Sequence, residues 1–197
     1  MSEITEITSQ KKGDRLNIFL NGQFAFGVDY TTAVKFGLKK GVVLTEADLE
    51  AINEEEGNIA AFNRGLKYAV KKTVSEKQML DYLVRNGYSP EASHAAIAKL
   101  KSYGYVDDAA YARAYVATYS SERGSKRMEF ELKNAGLSNQ IIAKVLEETS
   151  DSESCGRCME KYLRTHKNAD RQKLINYLLY RGFDWDDIND TIGRSGL

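Results

Sequence analysis

The 197-residue sequence predicts a mainly α protein: three tandem three-helix repeats in an elongated array, with a small N-terminal module that contains a β-hairpin. Three observations predict it. Gly87, Gly136 and Gly182, spaced by 49 and 46 residues, each follow an apolar helical stripe. One Asn-Gly pair, Asn21-Gly22, joins two alternating apolar segments near the N-terminus. Proline occurs once, at Pro90, as suits a largely helical chain.

In the N-terminal module, Leu16, Ile18 and Leu20 alternate with Arg15, Asn17 and Phe19, and Phe24, Phe26 and Val28 resume the alternation after the turn. A two-residue loop would pair Phe19 with Phe24 and Ile18 with Ala25. Both faces are then partly apolar, so the hairpin needs cover on both sides. Ile4 to Ser9 suit a third strand. Residues 30–37 and 45–54 read as short helices, the second opened by a Thr45/Asp48 arrangement like a capping box. Glu54-Glu55-Glu56-Gly57-Asn58 reads as a linker that closes a module of residues 1–57. With no nucleophile–base pair in view, this module is expected to fold or dock, not to catalyse.

The repeats are expected at 58–104, 105–151 and 152–197. Eight residues before the glycines stand Met79, Met128 and Leu174, and four before stand Leu83, Leu132 and Leu178. One after stand Tyr88, Leu137 and Phe183, and ten after stand Ile97, Leu146 and Ile192. The first two positions share a helical stripe. The glycine ends that helix in left-handed conformation, and the apolar residue after it closes on the preceding turn. Ser89, Ser138 and Asp184 cap the next helix, with Pro90 at a first position, and Ser75 with Gln78 forms a capping box. A further helix precedes each pair, giving first helices near 60–72, 107–121 and 153–167. Middle helices fall near 75–86, 125–135 and 170–181, and last helices near 89–101, 138–148 and 184–193.

Composition narrows the function classes. A hydrophobic content of 42% with 28% charged residues excludes global disorder. The formal net charge of +0 hides an asymmetry. Residues 1–60 carry 6 Lys/Arg against 10 Asp/Glu, a net −4, and residues 61–197 carry 22 against 18, a net +4. No apolar run reaches the ~20 residues of a membrane span, and the N-terminus lacks a signal-peptide pattern. Two cysteines make no disulfide framework. A cytoplasmic protein without membrane attachment is expected.

Several motifs invite chemistry that their setting argues against. Cys155-Gly156-Arg157-Cys158 with His166 suggests zinc, yet Cys155, Cys158, Met159, Tyr162, Leu163 and His166 share one apolar helical face. Cys158 and His166 would also stand about 12 Å apart along the helix. Asp184, Asp186, Asp187 and Asp190 occupy the first turns of a helix, where the dipole favours acidic groups. Tyr111, Tyr115 and Tyr119 could stack on bases but read as the main apolar stripe of their helix. His94 reads as a surface residue. No catalytic residue, metal or cofactor is expected.

The basic residues are the candidate binding surface. Arg64, Lys67 and Lys71 share one face of a helix, opposite Phe62, Leu66 and Ala69. Arg123, Lys126 and Arg127 cluster before a middle helix. Arg157, Lys161, Arg164 and Lys167 oppose the Cys–Met–Tyr face. One charged face alone is a solvated surface; recurrence along an array is what makes these candidates. A helix-turn-helix reader of DNA is the alternative. Its recognition helix should open with Arg, Lys, Asn or Gln. The last helices open Ser-Pro-Glu, Ser-Asn-Gln and Asp-Trp-Asp-Asp. The acidic openings argue against sequence-specific readout and leave weak nonspecific DNA binding.

Tyr105-Val106-Asp107-Asp108 with Tyr111-Ala112, then Gly124, Arg127, Glu131-Leu132 and Gly136, and finally Arg181-Gly182-Phe183 together resemble the RecX family. Asn17-Ile18-Phe19-Leu20-Asn21-Gly22 through Phe24-Ala25-Phe26-Gly27-Val28 resembles the N-terminal extension of its longer members. The resemblance runs over essentially the whole chain. Met128 departs from it, standing where a β-branched residue is common. The resemblance implies a cytoplasmic, non-enzymatic regulator that binds the RecA recombinase and its DNA filament and modulates its recombinase and ATPase activities, with inhibition the expected direction. A monomer is expected.

Overall fold

The computed structural model describes residues 1–11, 13–147, 149–166 and 170–195. It divides into two compact units, residues 1–68 with 82–102 and residues 69–81 with 103–197. Four strands and ten helices lie among the described residues.

The first unit opens with β1 (Ser2–Ser9), β2 (Arg15–Leu20) and β3 (Gln23–Asp29). Helix α1 (Tyr30–Lys35) and β4 (Val43–Leu44) follow. The antiparallel sheet has the order β3-β2-β1-β4. Asn21 and Gly22 both take positive φ, 50° and 82°, as the tight hairpin turn requires. Phe19 pairs with Phe24 as expected, their rings edge to face at 5.8 Å. The next pair differs: Ile18 faces Phe26, and Ala25 is the extra residue of a bulge. The bulge lets Ile18 and Val28 sink fully into the core while Phe24 stays on the surface. Ile4, Ile18, Val28, Ala33, Leu38, Leu44 and Ile52 form that core.

Helix α2 (Glu46–Ala69) begins with the Thr45/Asp48 box: Thr45 N–H donates to Asp48 at 2.8 Å, and Asp48 N–H donates to Thr45 Oγ1 at 3.2 Å. It then runs straight through Glu54–Asn58, where the sequence reads as a linker. Glutamate is a good helix former, and Gly57 costs only about 1 kcal/mol against Ala. The Glu56 carboxylate is also anchored, accepting from Asp29 N–H (2.8 Å), Thr32 Oγ1–H (2.6 Å) and Arg15 Nη2 (2.9 Å). The run that looks like solvated chain is thus the face that ties helix to sheet.

The remaining helices are α3 (Glu76–Arg85), α4 (Pro90–Ser102), α5 (Asp108–Tyr119), α6 (Ser125–Asn134), α7 (Asn139–Leu146), α8 (Asp151–Thr165), α9 (Arg171–Tyr180) and α10 (Trp185–Ser195). Gly87, Gly136 and Gly182 have φ of 87°, 88° and 88°. After each, the apolar residue's N–H reaches back to the leucine carbonyl: Tyr88 to Leu83, Leu137 to Leu132, Phe183 to Leu178, at 3.2–3.3 Å. Three copies of one helix-ending motif result. Met79, Leu83, Met128, Leu132, Leu174 and Leu178 are all buried. Leu146 is only half-buried, and Ile142 is the buried residue of α7.

In the second unit, α5–α7 enclose a core of Ala112, Val116, Met128, Leu132 and Ile142. Helices α8–α10 enclose Cys155, Cys158, Met159, Leu174, Leu178, Phe183, Ile188 and Ile192. A junction recurs here. Ser75 Oγ–H donates to Ala135 O at 2.6 Å, and Gly124 N–H, its counterpart, donates to Arg181 O at 2.9 Å. Glu76 N–H donates to Asp108 at 2.8 Å, and Ser125 N–H donates to Asp151 at 2.8 Å. The start of each of these two middle helices is therefore seated on the helix end and first-helix aspartate of the following repeat. The approach is close: a Cβ on Gly124 would lie 2.3 Å from Gly182 O.

Candidate partner-binding faces

Arg64 lies exposed on α2, where its Nη2 donates to Asn86 at 2.6 Å and its guanidinium stands 5.5 Å from the Tyr82 ring. Lys67, one turn on, is exposed and has no partner among the described residues. Lys71 does not continue their face: α2 stops at Ala69, before Val70, and Lys71 lies in the turn that follows. It belongs to the second unit.

Arg123, Lys126 and Arg127 are engaged within the fold. Arg123 pairs with Glu131, and its guanidinium lies 3.9 Å from the Tyr119 ring. Arg127 Nε pairs with Glu131 at 2.9 Å, and its guanidinium lies 5.0 Å from the Tyr180 ring. Tyr115 O–H donates to the same carboxylate. Burial pushes the Glu131 carboxyl up, and the two guanidinium groups supply its countercharge. Lys126 pairs with Asp184 at 2.6 Å, which holds the Asp184 carboxyl below and the Lys126 ammonium above their ordinary values. The tyrosine stripe packs partly buried against the α5–α7 core, with Tyr111 and Tyr115 rings 6.3 Å apart.

On α8, Arg157 is 3.6 Å from Glu153, and Lys161 is 2.8 Å from Glu122. Arg164 is exposed with no partner among the described residues. Lys167 lies outside the described residues. Opposite them, Cys155 and Cys158 point into the core, and burial pushes both thiols up. His166 departs from that face: it is exposed at the helix end, stacked on Tyr162 at 4.2 Å. No group of three or more His, Cys, Asp or Glu side chains gathers for a metal ion among the described residues. None of their helices is long and apolar enough to cross a membrane.

Sequence reasoning misses Arg113. It is exposed on α5, on the side away from the tyrosines, and lines a cleft of about 430 Å³ with Arg157. Its sole signal is its place between Tyr111 and Tyr115 on an otherwise uncharged helix stretch. Phe130, Tyr180 and Trp185 are also more than half exposed on the second unit.

A sheet module followed by three-helix repeats, with cations displayed on helix surfaces, defines a helical-repeat protein. The Regulatory protein RecX N-terminal domain matches residues 2–45, the second three-helix domain of RecX matches 107–146, and the third matches 151–192. The chain belongs to the RecX family of regulatory proteins. It is 32% identical to the Regulatory protein RecX of Listeria monocytogenes, over 92% of this chain and 71% of that one. Identity to the one from Bacillus licheniformis is 33%, over 98% and 77%. Among solved structures, a crystal structure of regulatory protein RecX shares 26% identity with a TM-score of 0.81, over 96% of this chain and all of that one. RecX from Lactobacillus salivarius, at 21% identity, shares the fold with a TM-score of 0.64 over 71% of this chain and 97% of that one.

Proposed function

We propose that this protein binds the RecA recombinase and its DNA filament and lowers the recombinase and ATPase activity of that filament, without catalysing a reaction itself. Membership of a family of regulators over nearly the whole chain supports this reading most. The charge arrangement supports it independently. The net +4 of residues 61–197 suits an anionic nucleoprotein surface, and Lys67, Lys71 and Arg164 are exposed cations without partners among the described residues. Arg64 on α2 and Arg157 and Lys161 on α8 are exposed as well, each held by weak surface ties. The protein acts as a monomer in the cytoplasm. Co-sedimentation with RecA filaments, with and without DNA and nucleotide, tests the reading. Pelleting only with assembled filaments supports it; failure to pellet under every condition counts against it.

A further inference from the structure

A polar cleft opens on the second unit between α5, α7 and α8. It is lined by Arg113, Arg157, Ser120, Thr149, Glu153 and Ser154, among others. We infer that it is a phosphate-binding subsite that takes one backbone phosphate of a single DNA strand. Arg113 and the Ser120 hydroxyl make no ion pair or side-chain hydrogen bond among the described residues. Arg157 is held only loosely, at 3.6 Å from Glu153 and 3.1 Å from Ser154 Oγ, with its side chain 55% exposed. Both guanidinium groups are thus available to an incoming oxyanion, which they suit by bidentate geometry.

The Ser120 hydroxyl adds a neutral donor beside the two cations, while the Thr149 and Ser154 hydroxyls already donate to Leu146 O and Ser150 O. The single opposing carboxylate on the lining among the described residues, Glu153, has a side chain 79% exposed and can swing to solvent. The cations sit at the surface and not in an enclosed cage. Such a rim captures a phosphate held in a passing strand better than a free ion, whose full desolvation it could not offset.

The site goes beyond the regulator reading, because its test contains no recombinase. Anisotropy of a labelled single-stranded oligothymidine, titrated with the full chain over a range of salt, gives the slope of log affinity against log salt. Arg113→Ala and Arg157→Ala should each weaken binding and flatten the slope by about 0.7 for each phosphate no longer neutralised. Glu153→Gln should tighten binding severalfold. Lys144→Ala, on the exposed side of α7 and outside the cleft, should leave the slope unchanged. Thermal melts confirm that the variants are folded. Superimposable curves for wild type and both arginine variants would overturn the inference, as would a wild type that binds no strand at low salt. Displacement of the strand by inorganic phosphate at far lower ionic strength than by chloride would reassign the cleft to a free anion and overturn the backbone assignment. Filament inhibition by a wild type that fails this test would leave the regulator reading standing alone.

Discussion

Glu131 illustrates how single residues decide what this surface can be. Arg123, Arg127 and Tyr115 all converge on its carboxylate, so Arg123, one of the basic residues that suggest a binding face, also ties α5 to α6, while Arg127 braces α6 from within. Glu131→Leu would leave two partly buried guanidinium groups without a countercharge and should cost about 3–5 kcal/mol, read by chemical denaturation. A loss below about 1 kcal/mol would mean that the cluster is an ordinary surface network. The glycines separate two further effects. Gly87→Ala meets open space and should cost only the left-handed strain of about 1–2 kcal/mol. Gly182→Ala adds a Cβ 2.4 Å from Arg127 N and should cost about 1–3 kcal/mol more. Equal denaturation midpoints for the two variants would contradict the close approach. The cysteines give a pH statement. Burial raises both thiols in the folded chain, so their contribution to stability is present below the ordinary thiol value and is lost as pH rises through the raised one. A thiol reagent at pH 8 should label Cys155 and Cys158 only on unfolding; rapid labelling of the native protein would place them outside the core.

Elements show why part of this architecture is legible in the sequence and part is not. Each middle-helix ending is written within about ten residues, because the stripe, the glycine and the closing apolar residue all bond to one another locally. Leu83→Ala, Leu132→Ala and Leu178→Ala should each destabilise by about 2–5 kcal/mol, measured in denaturant; near-zero losses at all three would dissolve the repeat register. The union of the helices read near 45–54 and 60–72 into one α2 is not legible, because the partners of Glu56 stand at Arg15, Asp29 and Thr32, far away in sequence. The recurring junction is hidden for a similar reason. Asp108 and Asp151 are 43 residues apart while the glycines after them are 46 apart, so the two do not fall in one register. Among the basic residues, the Arg127–Glu131 pair follows from helical spacing, whereas the Lys126–Asp184 pair, 58 residues apart, needs the fold.

For the whole molecule, the continuity of α2 through residue 57 changes what a truncation tests. Removing residues 1–57 would cut a helix and strip the anchoring partners from what remains, so the loss of helical circular dichroism should exceed that of the deleted turns. A spectrum that loses only strand signal would contradict a continuous α2 in the first unit. Inhibition of the RecA filament is the activity proposed for the whole molecule. The measurement that tests it most directly is ATP hydrolysis by RecA filaments on single-stranded DNA, titrated with wild type and with a Lys67→Glu/Arg164→Glu variant at low and physiological salt. Both substitutions fall on exposed residues without partners among the described residues, so folding should be unaffected. Wild-type inhibition should weaken with salt, because exposed charges are screened over about 8–10 Å, and the variant should inhibit less at both. Filaments that hydrolyse ATP at an undiminished rate at every ratio of wild-type protein would contradict the proposed inhibition.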